Sequence, residues 1–208
     1  MSKVLFVKAN SRPIDQSVSV KLYHAFLDRY KETHPEDSIM ELDLFSENLS
    51  YYDNDKINGM FKAAKALELT AAEAEAVETV HKYLNQFLEA DKVVLAFPLW
   101  NLTIPAVLHT YLDYLNQAGK TFRYTPEGAV GMLTDKKAAL LNARGGVYSE
   151  GPAQAVEMSL NYVTAILSFW GMSDITTVVT EGHNQFPDRA EEIIAEGIRL
   201  AEETAEKF

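Results

Sequence analysis

The chain has 208 residues, of which 47% are hydrophobic and 24% charged, the balance of a folded globular protein rather than of a disordered or membrane-spanning one. It contains no cysteine, which excludes disulfides, thiol chemistry, iron–sulfur clusters and thiolate zinc sites, so any redox work requires a carried cofactor. A formal net charge of −11 repels phosphate backbones and anionic lipid surfaces, and neither a nucleic-acid nor a membrane partner is expected. No run approaches the roughly 20 apolar residues of a spanning helix. The short Val4–Val7 run behind Met1, Ser2 and Lys3 is too brief for a signal peptide, so a cytoplasmic location is the expectation.

In chain order, short β-branched runs alternate with helical periodicity. Val4–Val7 predicts the first strand. Val20, Tyr23, Leu27 and Tyr30, three and four apart, then form one apolar helix face that ends before His34 and Pro35. Ile39–Leu44 is the second strand. The stretch from Asp53 to Ala90 is too long for a simple crossover and predicts a short helix near Met60–Leu67 followed by a long one. Thr70 with Glu73 reads as a capping box, after which Val77, Val80, Leu84 and Leu88 repeat at helical spacing. Val93–Phe97 is the third strand. Pro105 stands where a helix should start, and Ile104, Leu108, Tyr111 and Leu115 continue it until Gly119. Strands at Ala138–Asn142 and Ile175–Thr180 flank a helix through Leu160, Val163, Leu167 and Trp170 that ends at Gly171. A last helix carries Ala190, Ile193, Ile194, Gly197 and Ala201.

The sum is an α/β fold with a doubly wound, five-stranded parallel sheet of order 2-1-3-4-5. With no repeat, low-complexity segment or linker, residues 1–208 are expected to form a single domain. Ligands of such sheets bind outside the carboxyl ends of the strands, where the winding direction reverses. The loops after strands one, three and four are therefore the candidates.

The first loop, Lys8–Ser19, has no glycine, so it is neither the dinucleotide fingerprint nor a Walker A loop. Ser17 and Ser19 flank the expected start of the first helix, whose free N–H groups and positive dipole end suit a phosphate monoester. Ser17 reads equally as a helix cap and nothing more. The second loop, Phe97–Pro105, places Trp100 beside Asn101 between prolines, either as a rigid apolar wall for a flat heteroaromatic ring or as core. In the third, Asn142–Ser149, the paired glycines 145 and 146 permit close backbone approach, by a ligand or in a plain turn. Arg144 either fixes the local backbone or lies near the ligand. The histidines, at 24, 34, 81, 109 and 183, show no H-x-x-x-H spacing, so no metal site is expected.

These residues also carry a family resemblance. Ser17-Val18-Ser19 behind the strand at Lys3–Lys8, Pro98-Leu-Trp-Asn-Leu102, Phe122-Arg-Tyr-Thr125, and Ala143-Arg-Gly-Gly146 with Gly151-Pro152 together resemble the FMN-dependent NADH azoreductases over essentially the whole chain. The resemblance implies a flavodoxin-like fold and a flavoprotein oxidoreductase that reduces azo compounds and quinones. By it, Ser17, Val18 and Ser19, with Asn10 nearby, match the phosphate segment. Leu99, Trp100, Asn101 and Leu102, behind Pro98, match the segment that wraps the isoalloxazine, where relatives often have Met-Tyr-Asn-Phe. Ala143, Arg144, Gly145 and Gly146 match a Ser-Arg-Gly-Gly segment lacking one hydroxyl, and Tyr148 stands where some relatives have histidine. Tyr124 and Phe169 match aromatic positions that shape the substrate pocket, and the family is homodimeric with the flavin near the subunit interface.

The chemistry implied is two-electron hydride transfer carried by FMN, with NADH and the oxidant using one site in ping-pong order and no obligatory catalytic side chain. The aromatic segments around Tyr111, Phe122–Tyr124 and Phe169-Trp170 are expected to include residues buried between subunits. The alternative is a flavodoxin-type electron carrier that binds FMN but has no organic substrate of its own. A phosphotransfer signalling domain of the same fold is disfavoured, since Lys8-Ala-Asn10 and Phe97-Pro98 stand where its acids should be.

Overall fold

The computed structural model describes residues 1–208. Strand β1 (Lys3–Lys8) leads through a 3-10 turn at Ile14–Gln16 into α1 (Val18–Thr33), which returns the chain to β2 (Ser38–Asp43). Helices α2 (Asn54–Ala64) and α3 (Ala71–Glu89) connect to β3 (Lys92–Pro98), and α4 (Ala106–Leu115) follows. A hairpin of β4 (Phe122–Thr125) and β5 (Gly128–Gly131) precedes β6 (Lys137–Arg144), α5 (Leu160–Phe169), β7 (Asp174–Glu181) and α6 (Ala190–Lys207). The main sheet is parallel throughout and ordered β2-β1-β3-β6-β7, which is the order 2-1-3-4-5 expected for its five strands.

Both faces of this sheet are covered, which is why its inner strands read as continuous apolar runs rather than alternating ones. On one face Val4, Phe6, Val94, Ala96, Ala139 and Leu141 meet α1 and α6. Phe6 is the hub there, its ring 6.1, 6.0 and 5.8 Å from those of Tyr23, Phe26 and Tyr30. On the other face Leu5, Val7, Val93, Leu95, Ala138 and Leu140 meet α3, α4 and α5. Helix α3 begins at the expected capping box, in which the Thr70 hydroxyl accepts from the Glu73 N–H and the Glu73 carboxylate accepts from the Thr70 N–H. No helix is long and apolar enough to cross a membrane.

Four features differ from the sequence expectation, each for a physical reason. Helix α2 starts at Asn54 rather than near Met60, because Asp53 accepts from the Lys56 N–H and caps it. Its Ile57 and Phe61 are 54% and 57% exposed, so apolar spacing marks no buried face. Helix α4 stops at Leu115, and Gly119, with φ of 81°, serves the following turn instead. The β4–β5 hairpin has four-residue strands, too short for a period to register, and stands outside the main sheet. Finally, Tyr111, Phe122 and Trp170 are buried within this chain and are not available between subunits. Trp170 packs edge-on to Phe87 at 5.5 Å and donates its indole N–H to Asn116 Oδ1 at 2.9 Å, which satisfies its one polar group inside the core.

Candidate functional site

The carboxyl ends of β1, β3 and β6 are held side by side by ladder bonds that continue past the strands. Ala9 N–H donates to Ala96 O at 2.9 Å and Leu99 N–H to Ala143 O at 2.8 Å. After β1, Ser17 adopts extended φ and ψ of −138° and 118° and caps α1, its hydroxyl accepting from the Val20 N–H at 3.4 Å. The same hydroxyl belongs to a buried polar cluster. Asn10 Nδ2 donates to Ser17 Oγ at 2.8 Å and Ser19 Oγ at 3.0 Å, and Asn10 Oδ1 accepts from the Arg12 N–H at 3.0 Å. Ser17 both caps α1 and lines a cavity of about 320 Å³ with Val18 and Ser19. Arg12 and Lys21 line it too, with Asp15 as the one acid, so two cations and one carboxylate stand near the helix N-terminus of a strongly acidic chain.

After β3, Trp100 and Thr103 exchange both backbone hydrogen bonds, at 2.9 and 3.1 Å, around a two-residue turn. Asn101 and Leu102 have φ of 51° and 71°, the pattern of a type I′ turn, which ordinarily carries Asn-Gly. Leucine in that region is strained by roughly 1–3 kcal/mol, a kind of strain that clusters at ligand clamps. Trp100 is half-buried, meets Phe45 edge-on at 6.3 Å, and lines the cavity together with Pro98 and Leu99. The core reading of Trp100 therefore fails. Asn101 and Leu102 border an adjoining, more open hollow that shares Leu99, Gly145 and Asn184 with the first.

After β6, Ala143 and Gly145 line the cavity, and Gly145, Gly146 and Tyr148 line the hollow. Gly145 lies against the turn after β7, where the Asn184 side chain would have to shift to admit a Cβ. A Cβ there would lie 2.5 Å from Asn184 Nδ2, while Gly145 O accepts from the N–H groups of Asn184 and Gln185 at 2.9 and 3.1 Å. Arg144 is buried and lines neither space. Its guanidinium donates to Asn142 Oδ1 at 2.6 Å and lies between Glu181 at 3.3 Å and Glu157 at 3.8 Å. Tyr124 and Phe169 are 76% and 39% exposed and also line neither space; both rings pack on Phe122, at 5.3 and 4.7 Å.

The Flavodoxin_2 family model, described as a flavodoxin-like fold, matches residues 2–205. The chain belongs to this flavodoxin-like family. It is 66% identical over 208 residues to FMN-dependent NADH:quinone oxidoreductase 3 of Bacillus thuringiensis subsp. konkukian, with both chains fully covered. FMN-dependent NADH:quinone oxidoreductase 1 of Bacillus subtilis is 58% identical over the same full length. The crystal structure of azoreductase from Bacillus anthracis str. Sterne superposes with a TM-score of 0.98 at 66% identity, covering 100% of each chain. A second flavodoxin-like neighbour, an FMN-dependent NADH-azoreductase from Bacillus anthracis str. Ames Ancestor in complex with FMN, gives 0.89 at 28% identity, with 100% of this chain and 99% of that one covered.

Within this flavodoxin-like scaffold the sequence reading overlooked the segment after β7, where His183 and Asn184 line the cavity and Gln185 the hollow. The available signal was a polar turn, Gly182 to Gln185, directly behind a strand on the same sheet edge. Burial holds the His183 imidazole below its usual 6.5, and the positive charge of Lys21 adds to the effect. Its Nδ1 is buried with no partner. His183 should therefore titrate below 6.5 in a pH series of side-chain NMR spectra of the apoprotein. As pH falls through 6.5 the unfolded chain takes up this proton first, so stability present above 6.5 is lost down to the folded value. A His183→Asn variant should flatten that part of the profile, and an NMR midpoint at or above 6.5 would contradict the assignment.

Proposed function

We propose that this protein is an FMN-dependent oxidoreductase that uses NADH to reduce quinones and azo compounds, with FMN held by the loops after β1, β3 and β6. The observation that carries the reading is the Asn10–Ser17–Ser19 cluster at the start of α1, which opens into a cavity adjoining the hollow bordered by the strained turn at Asn101 and Leu102. Three relatives named above carry FMN and NADH in their names, and one was crystallised with FMN.

The donors present fit a flavin mononucleotide. The Ser17 and Ser19 hydroxyls, oriented by Asn10, and the free N–H groups of the first turn from Val18 suit its phosphate, and Arg12 and Lys21, which outnumber the one lining acid Asp15, lower the electrostatic cost of bringing that dianion to an acidic protein. Pro98, Leu99, Trp100, Asn101 and Leu102 form one wall for the ring, and Ala143, Gly145, Gly146 and Tyr148 the other. When bound, FMN supplies the two-electron chemistry, accepting hydride from NADH and passing it to the oxidant. The chain's own residues bind, orient and shield from water, and none is assigned as an obligatory proton donor. A flavodoxin-type carrier without its own substrate is the less favoured reading, given that the full-length relatives are named as reductases.

The active unit in this proposal is a cytoplasmic homodimer. Tyr124 and Phe169 stand outside the flavin spaces of their own chain with their rings partly bare, as expected of residues that wall a neighbouring subunit's pocket.

Replacing Ser17 and Ser19 together by alanine removes two charge-assisted hydrogen bonds, each worth roughly 1.5–3 kcal/mol. FMN affinity should fall by more than about tenfold, while riboflavin, which lacks the phosphate, should bind as to the parent protein. Equal losses for both flavins, or none, would remove the phosphate from this position. The flavin-loaded protein should also oxidise NADH rapidly with menadione and no partner reductase, and light scattering should give twice the 23.3 kDa chain mass. Turnover that requires an added reductase would favour the carrier, and a fully active monomer would defeat the shared pocket.

A further inference from the structure

Behind the glycine loop lies a largely buried ionic network that lines neither ligand space, borders a separate hollow of about 440 Å³, and reaches the segments that border both ligand spaces. Glu181, at the end of β7, accepts from the N–H groups of Tyr148 and Ser149 at 2.8 and 3.1 Å, from the Ser149 hydroxyl, and from Arg144 Nη1 at 3.3 Å. Arg144 continues to Asn142 and Glu157, and the Glu157 carboxylate accepts from the N–H groups of Ser159, Leu160 and Asn161 at the start of α5. Asn142 Nδ2 donates to Phe97 O at 3.1 Å, and Met158 N–H to Leu102 O at 2.8 Å. The loop after β3, the loop after β6 and the first turn of α5 are thereby tied to one cation and two carboxylates.

Two successive glycines leave the backbone from Gly145 to Tyr148 with more freedom than any other pair of residues would. Glu181 removes that freedom from outside, by fixing the two N–H groups on the loop's far side. Burying such charges is expensive and is weak grounds for a purely stabilising role, since apolar replacements of a buried pair are often as stable. We infer that Glu181 and Arg144 are positioning residues, which hold the Gly145–Tyr148 backbone in its ring-facing geometry without touching the ligand. The inference rests on the FMN reading above and adds two residues to it.

The test uses Glu181→Met, which removes the acceptor of the Tyr148 and Ser149 N–H groups and leaves Arg144 with Glu157 as its remaining carboxylate, and the double variant Arg144→Met/Glu181→Met, which removes the guanidinium as well. Flavin affinities are read by fluorescence quenching, the bound-flavin midpoint potential by redox titration, and stability by thermal unfolding. Both variants should bind FMN and riboflavin about tenfold more weakly, the scale on which outer partners of a ligand site act. The equal loss for the two flavins separates this effect from that of the serine pair. Neither variant should recover the affinity or the parent potential, whatever its melting temperature. Parent affinity and potential in the folded double variant would overturn the inference and leave the charges a structural role only. Amide hydrogen exchange supplies a flavin-independent arm, in which Tyr148 and Ser149 N–H are protected in the parent and lose protection in whichever variant folds. Unchanged protection would overturn the inference as well. A parent protein that binds neither flavin would defeat the FMN reading instead, with the exchange result still deciding the network.

Discussion

Each candidate ligand-facing group depends on one topological constraint, the adjacency of β1 and β3 when the helices that follow them leave to opposite faces of the sheet. Helix α1 packs on the Val4 and Phe6 side and α4 on the Leu5 and Val7 side, so the chain parts at the carboxyl edge and leaves a crevice between the two strands. Parallel register does the rest. Lys8 stands opposite Ala96 and Pro98 opposite Ala143, so three loops distant in sequence emerge side by side. Leu44 N–H donates to Lys8 O at 3.0 Å, which carries the chain beyond β2 to the same edge and sets Phe45 against Trp100.

The loops gathered there break local rules that the body of the protein obeys. Leu102 takes a backbone conformation that favours glycine, while Gly145 packs against the Asn184 side chain. Arg144, Glu157 and Glu181 form a largely buried charge network where a stable core would do without charges. Arg12 and Lys21 face a cavity in a chain whose net charge is −11. Departures of this kind gather where a ligand must be held, because a site shaped in advance for its ligand is not the arrangement of lowest energy for the empty chain.

Much of this was legible from residues alone, and the exceptions have a common cause. The inner strands were legible because burial on both faces makes them continuous apolar runs, and α3 because Thr70 and Glu73 cap it reciprocally. Ser17 and Ser19 were legible as residues flanking the start of α1. What escaped was information held in tertiary contact. The pairing of Arg144 with Glu157 and Glu181, which lie 13 and 37 positions away, leaves no local signal. Tyr111 and Trp170 looked like surplus aromatics because their partners, Tyr83 and Phe87, come from another helix. The turn from His183 to Gln185 carries no periodicity, and only the pairing of β7 with β6 brings it to the site.

The central claim is that these loops hold a flavin that takes electrons from NADH and gives them to an organic acceptor. An anaerobic titration of the purified, flavin-loaded protein with NADH tests it most directly. The account predicts stoichiometric loss of the oxidised flavin's visible absorption and its full return when a quinone is added. A bound flavin that NADH leaves oxidised, or that a quinone does not restore, would contradict it.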